Sequence, residues 1–219
     1  MYSLIHGYGQ YHRLRNSPDP FFSPIQMFEK EEELKEACGI MHAFLNATPR
    51  AIGVSATQLA INLPVMAIRS EEGGIKMYIN PIITEEDVST YSVQEGSINF
   101  PSIICPNVFR KLSVKVSYYA FNHKLELKKY QANLGKLEGG VFQNILDHLH
   151  GVTIFDIAHP VPPESVKPFT PIYRIKLGEE RIDSFIEGEN RLFMSDLIIS
   201  PAEYPDKECI GFKFNLNQK

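Results

Sequence analysis

Five residues with polar or ionisable side chains crowd into one short run, "QNILDHLH", Gln143 to His150. On a helix, positions four apart lie one above the other on the same face. Two histidines at that spacing can share one metal ion. An adjacent glutamate can then move a proton to and from the metal-bound water. In this run the positions four apart are Asn144 and His148. An amide has no basic nitrogen lone pair, and its oxygen is a poor ligand for zinc or iron. Ile145, next to Asn144, carries an alkyl group that cannot hold a proton. His148 alone keeps a ligating nitrogen, and one imidazole does not retain a catalytic metal. His150 is no replacement, because two residues along a helix is a turn of about 200°.

The elements that must position this run follow from periodicity. The spacing predicts a helix around 139–150, with Val141, Ile145, His148 and Val152 on one side and Phe142 and Leu149 on another. A second helix is expected over 29–46, opened by acids and carrying Leu34, Ala37, Cys38, Met41, Phe44 and Leu45 on one face. Val65 to Ile68 reads as a buried strand, and Lys76 to Asn80 as another after a Gly-Gly turn. "VQEGSINFPSI" opens a further extended segment. "KLSVKVSYYAFN" alternates as a half-buried strand, with "HKLELKKYQ" as its hairpin partner across Asn122 and His123. The run 159–171 is Pro-rich and is expected to be a linker. Beyond it, "YRIKL" and "IGFKFNL" look like strands, and "EGENRLFMSDLIIS" mixes charge with apolar runs as interaction segments do.

Composition narrows the class. A chain of 219 residues, 43% hydrophobic, is long enough for one sizeable core plus an appendage. The formal net charge of -4 leaves no overall footprint for nucleic acid, so a contact with rRNA is not indicated by charge. Three scattered cysteines, with no CxxC pair, argue against a disulfide framework and for a reducing compartment. No apolar run approaches a membrane span, so no membrane partner is expected. The first twenty residues contain Arg13 and Arg15 with no acid before Asp19, which fits an organellar presequence or an ordinary N-terminal arm.

Three stretches in order resemble the signatures of peptide deformylase, the family that removes the formyl group from the N-terminal methionine of new chains. "AIGVSATQ", Ala51 to Gln58, resembles G-x-G-L-A-A-x-Q. "EGSIN", Glu95 to Asn99, resembles E-G-C-L-S, and "QNILDH", Gln143 to His148, resembles Q-H-E-x-D-H. The "INP" at 79–81, the "FP" at 100–101 and the trailing "HLHGVTIFD" add to the match. The resemblance covers roughly residues 13–157. It implies an α+β fold with antiparallel β-sheets around a central, formerly metal-binding helix. It leaves a C-terminal extension outside that pattern: a deformylase-like domain over 1–157 with an arm over 1–20, then the linker and extension over 158–219.

The family pattern also sharpens what is altered. Its metal ligands are two histidines and a cysteine thiolate. By that resemblance, Asn144 stands for the first histidine, Ile145 for the glutamate and Ser97 for the cysteine, while His148 remains. A neutral hydroxyl binds such metals poorly. Two ligands and the general base are lost together, so no metal cofactor and no deformylase activity are expected. Outside the metal shell the resemblance implies a substrate-like cleft of Gly53, Gln58, Glu95, Ile98 and Arg110, with Asp147 in a structural role. Ala51 and Ser55 replace smaller residues and push toward a filled cleft.

Two fates of the cleft are open. It binds an extended peptide by strand addition, or Ile145 and its neighbours pack into it and function moves to the surface. Burying the isoleucine is worth about 1.5–3 kcal/mol, which favours the second. The expected function is a pseudoenzyme acting as a scaffold with protein partners, in translation, at a mitochondrial ribosome or its assembly particle. Mitochondrial localisation is expected on that analogy, and cytoplasmic otherwise. The competing functions are a non-cleaving binder of peptide N-termini and a metal-dependent deformylase with atypical ligands.

Overall fold

The computed structural model describes residues 21–70, 72–177, 180–187, 190–191 and 207–214. The N-terminal arm and most of "EGENRLFMSDLIIS" lie outside them. Residues 21–91 and Arg110–Thr153 form one compact unit. Ser92–Phe109 and the described residues from Ile154 onward form a second.

Among the described residues, the first element of the first unit is a short helix, α1 (Pro24–Glu29), which the apolar periodicity does not reveal. Its signal is local. Ser23 accepts the Gln26 N–H at 3.3 Å, and Gln26 Oε1 accepts the Ser23 N–H at 2.9 Å, a capping box with proline in the first turn. Lys30 ends α1, and the expected helix begins one residue later as α2 (Glu31–Ala47). Glu31, Glu32 and Glu33 sit in its first turn, where the helix dipole favours negative charge. Leu34, Ala37, Met41 and Leu45 are buried on one face. Cys38 is only half-buried, at the margin of that face, although burial still pushes its thiol up to about 12.

Five antiparallel strands follow: β1 (Gly53–Ser55), β2 (Val65–Arg69), β3 (Ile75–Glu86), β6 (Val114–Phe121) and β7 (Leu127–Leu134), lying side by side in that order. Gly73 and Gly74 both take positive φ, near +90°, and make the turn from β2 to β3. The β6–β7 hairpin is present, but its loop is longer than a two-residue turn. Asn122 Oδ1 accepts the N–H groups of Lys124 and Glu126, and Leu125 sits at φ 60°. Helix α3 (Lys136–Leu149) packs on this sheet. Its Phe142, Ile145, Leu146 and Leu149 join Met66, Ile68, Tyr78, Val114, Val116 and Leu134 in one apolar cluster. Gly151, at φ 75°, ends the helix: its N–H bonds the His148 carbonyl and the Val152 N–H bonds the Asp147 carbonyl.

Most of a six-stranded sheet lies in the second unit, in the order β10 (Asn190–Arg191), β9 (Glu180–Glu187), β8 (Thr170–Leu177), β11 (Lys207–Lys213), β5 (Phe100–Lys111) and β4 (Thr90–Ser97); Thr90, Tyr91, Arg110 and Lys111 at the strand ends are counted with the first unit. Of the two strand-like pieces expected after the Pro-rich stretch, "YRIKL" lies in β8, and Ile210 to Lys213 of "IGFKFNL" lie in β11, while 215–216 fall outside the described residues. That stretch is tied to the sheet. The His159 N–H bonds the Asn107 carbonyl and the Val161 N–H bonds the Cys209 carbonyl, each at 2.8 Å, before a 3-10 turn at Pro163–Val166. The buried Arg174 donates to the carbonyls of Phe155, Asp156 and Ala158 at the end of α4 (Ile154–Ile157), and to the Glu208 carboxylate. Among the described residues, no helix is long and apolar enough to cross a membrane. The molecule is an α+β fold with antiparallel sheets, as expected.

Candidate functional site

Helix α3 is fastened by polar brackets on either side of its apolar face. Gln143 is buried. Its Oε1 accepts the Lys111 N–H at 2.9 Å, and its Nε2 donates to the Lys111 carbonyl at 3.0 Å. One amide thus meets both backbone groups of a single residue. Asp147 accepts a hydrogen bond from the guanidinium of Arg110, whose side chain is almost wholly buried. The Thr57 hydroxyl donates to the His148 carbonyl at 2.7 Å, near the helix end where carbonyls lack intrahelical partners.

Asn144 is half-buried. Ile145 is buried within the apolar cluster and lies against β1: a Cβ built on Gly53 would stand 2.8 Å from Ile145 Cγ1 and 3.2 Å from its Cδ1. His148 is also buried, and its Nδ1 has no hydrogen-bond partner among the described residues. Burial first, and the positive charge of Arg110 second, push the imidazole down from 6.5 to about 4. It is neutral at physiological pH. His150 is exposed, as its helical angle requires, with the Phe21 ring 5.1 Å from its own.

Around β1, Gln58 lies in a 3-10 turn, Thr57–Leu59. Its Oε1 accepts the Ser55 N–H at 2.9 Å, so the amide oxygen closes a local turn. The Ser55 hydroxyl, one of the two added groups, lies 2.9 Å from Thr57 Oγ1 and is fully buried without being orphaned. Gly53, Gln58, Arg110, Asn144, Ile145 and His148 belong to the first unit. Glu95, Ser97 and Ile98 belong to the second. There Glu95 is buried on β4, and Ile98 is half-buried in the turn to β5. The Ser97 hydroxyl donates to Asn99 Oδ1 at 3.2 Å and accepts the Asn99 N–H at 3.3 Å.

Sequence reasoning missed Thr57 as the residue that holds the carbonyl of His148. It also missed Asp147 as the specific counter-charge of Arg110. The alternation of hydroxyls at Ser55 and Thr57 was the available signal for the first. Nothing local signals the second.

The sequence pattern that defines the polypeptide deformylase family matches residues 19–163. The chain belongs to the polypeptide deformylase family. Peptide deformylase 1B of Arabidopsis thaliana, a chloroplastic/mitochondrial protein, is 29% identical over 147 residues, which is 64% of this chain and 51% of that protein. A peptide deformylase-like protein of Staphylococcus epidermidis is 29% identical over 116 residues, 52% of this chain and 68% of that one. The crystal structure of peptide deformylase from Thermotoga maritima superposes with a TM-score of 0.60 at 28% identity, covering 73% of this chain and 99% of that chain. The chain spans about half or less of the length of the first plant relatives it matches.

The family implies a divalent metal, and the residues present do not fit one. The Ser97 hydroxyl is engaged by Asn99, the amide of Asn144 stands four residues before His148, and Ile145 turns an alkyl group into the core. Among the described residues, no group of three or more His, Cys, Asp or Glu side chains is placed to hold a metal ion.

Proposed function

We propose that this chain is a catalytically inactive deformylase-fold protein that works through protein partners, as a scaffold component in translation. The single observation that carries the reading is Ile145. The position that a proton-carrying side chain needs is filled by an alkyl group buried in the apolar cluster of the first sheet. The donor chemistry of Asn144 and Ser97 supports it, since neither an amide nor a neutral hydroxyl replaces an imidazole or a thiolate. An organellar ribosome or its assembly particle is the partner proposed first. It is supported by the family's work on nascent chains and by the compartment named for the Arabidopsis relative.

Two measurements test the proposal. The purified protein is refolded with excess zinc, nickel or ferrous iron, analysed for bound metal and assayed on formyl-Met-Ala-Ser. The expected result is neither stoichiometric metal nor turnover above buffer. Stoichiometric metal with turnover refutes the inactive reading. For the partner, tagged protein is followed on a gradient of organellar lysate. Co-sedimentation with ribosomal particles is expected, and a wholly monomeric soluble pool counts against it.

A further inference from the structure

We infer that the outer edge of β7 is a docking site for an extended acidic segment of a partner protein, which adds there as a sixth strand of the first sheet. This rests on the reading of the chain as one that works through protein partners, and it names the place and the chemistry. Among the described residues β7 has β6 on one side and no strand on the other. Asn122 donates its N–H to the Glu126 carbonyl at 3.0 Å, so 122 and 126 face each other across the hairpin. Backbone groups alternate along an antiparallel pair, so 128, 130, 132 and 134 turn toward β6. Leu127, Lys129, Gln131 and Asn133 turn their N–H and C=O groups outward. Sheets protect such edges by shortness, proline, bulges or a cover. The opposite end of this sheet does so: β1 is three residues long and buried throughout. β7 runs for eight residues without proline, pairs with β6 without a break in register, and exposes 128–131 and Asn133.

What β7 carries instead is charge, and charge selects the occupant. The hairpin over 114–134 holds four lysines and one glutamate in a chain whose formal net charge is -4. β7 itself has Lys128 and Lys129 and no acid, so a second copy of this strand is repelled and an acidic one attracted. Glu126 meets Lys128 at 3.3 Å, but both are more than half exposed, and such a pair is weak and screened by salt. Successive side chains point to opposite faces, so Lys128 and Tyr130 share one face and Lys129 lies on the other. A strand along this edge meets both lysines with two adjacent acids, and Tyr130, which is 39% exposed, with an apolar neighbour. Single-stranded nucleic acid needs open ring faces on which successive bases stack. Here the rings are engaged. Tyr118 lies between Tyr78, 4.6 Å away, and Tyr130, 5.8 Å away. Lys129 Nζ sits 6.0 Å from the Tyr119 ring centre, and Lys35 Nζ 5.6 Å from that of Phe121. The row of outward backbone groups therefore favours a polypeptide over a nucleic acid.

The test uses the full chain and amide hydrogen exchange read residue by residue. The probe is acetyl-Thr-Val-Thr-Val-Glu-Glu-Thr-Val-amide at millimolar concentration. The controls are the same peptide with both glutamates replaced by lysine, and a short oligouridylate. The acidic peptide is expected to slow exchange at 127, 129, 131 and 133 and to bind about tenfold tighter than the basic one. Lys128→Glu combined with Lys129→Glu should reverse that preference. Gln131→Pro removes one outward N–H and no bond to β6, and should weaken the acidic peptide about tenfold. The charge-reversed form keeps the test decisive should the proline form not fold. No slowing at those four amides, equal slowing by both peptides, or slowing by the oligouridylate in place of the acidic peptide overturns the inference. Tagged wild type and the charge-reversed form are then compared on the gradient of organellar lysate, and the charge-reversed form is expected to leave the ribosomal particles. If both forms stay with the particles, the edge is not the contact and the partner reading stands. If wild type runs as a monomer while the acidic peptide protects the edge, the docking site stands and the ribosomal reading falls.

Discussion

Replacing Ile145 with glutamate would restore a carboxyl at the helix position where the family carries one, and the structure sets the energetic consequence. The side chain at 145 lies among Met66, Ile68, Tyr78, Phe142, Leu146 and Leu149. Losing the buried isoleucine costs about 1.5–3 kcal/mol. The new carboxyl, held in that apolar surround, is driven to its neutral form. At pH 7 that costs about 3.5 kcal/mol, from a free glutamate near 4.3 and about 1.36 kcal/mol per pH unit. The sum, roughly 5–6.5 kcal/mol, is comparable to the whole stability of many domains. At pH 5 the ionisation part falls to about 1 kcal/mol, so the penalty should shrink by roughly 2.5 kcal/mol between pH 7 and pH 5. Urea unfolding of wild type, Ile145→Glu and the neutral control Ile145→Gln at both pH values measures this. The glutamine form should show the packing loss without the extra pH dependence. A glutamate variant within about 1 kcal/mol of wild type at pH 7, or with the same penalty at both pH values, would show that position 145 meets water. The packing argument would then fail.

His148 gives a second pH signature. Its pKa is pushed down to about 4 in the fold, from 6.5. The stability tied to the neutral imidazole is therefore fully present above pH 6.5 and lost as pH falls through 6.5 toward 4. The loss is on the order of 3 kcal/mol at the low end, and His148→Gln should flatten the stability profile in that window. Asp147→Asn removes the carboxylate facing the buried Arg110 guanidinium and should cost about 2–3 kcal/mol in urea unfolding, less than for a fully buried pair because Asp147 is partly exposed. A metal site filled to a hundred times its dissociation constant would stabilise by about 2.7 kcal/mol. Zinc or nickel is expected to leave the thermal midpoint unmoved, as is a chelator.

What could be read in advance was whatever depends on neighbours along the chain. The alternation of Leu112, Val114, Val116 and Tyr118 places β6, although Leu112 proves exposed and lies before the strand begins, and the apolar spacing of Leu34, Met41 and Leu45 places α2, because strand and helix periods are properties of contiguous residues. Helix α1 escaped because six residues are too few for a period, although Ser23 and Gln26 announce its start. At the candidate site, Asn144 and His148 were placed on one helix and His150 off their face by the same arithmetic. The Thr57–His148 and Arg110–Asp147 contacts were not legible. They join residues 91 and 37 positions apart, and such pairs are fixed by how elements pack rather than by local pattern. The Pro-rich run reads as a linker in the sequence because proline excludes it from helix and central strand. That exclusion does not prevent its remaining N–H groups from bonding outward, as those of His159 and Val161 do.

The strand order of the second sheet bears on synthesis. β11, the last described strand to leave a ribosome, lies between β8 and β5, in the interior of the sheet. Until it emerges, β5 and β8 each present an unsatisfied edge. The guanidinium of Arg174 also waits for Glu208, which arrives on that same strand. The described sheet of the second unit is therefore complete only after β11 has been made. A nascent chain stalled before Lys207 holds two open edges able to pair with other extended chains.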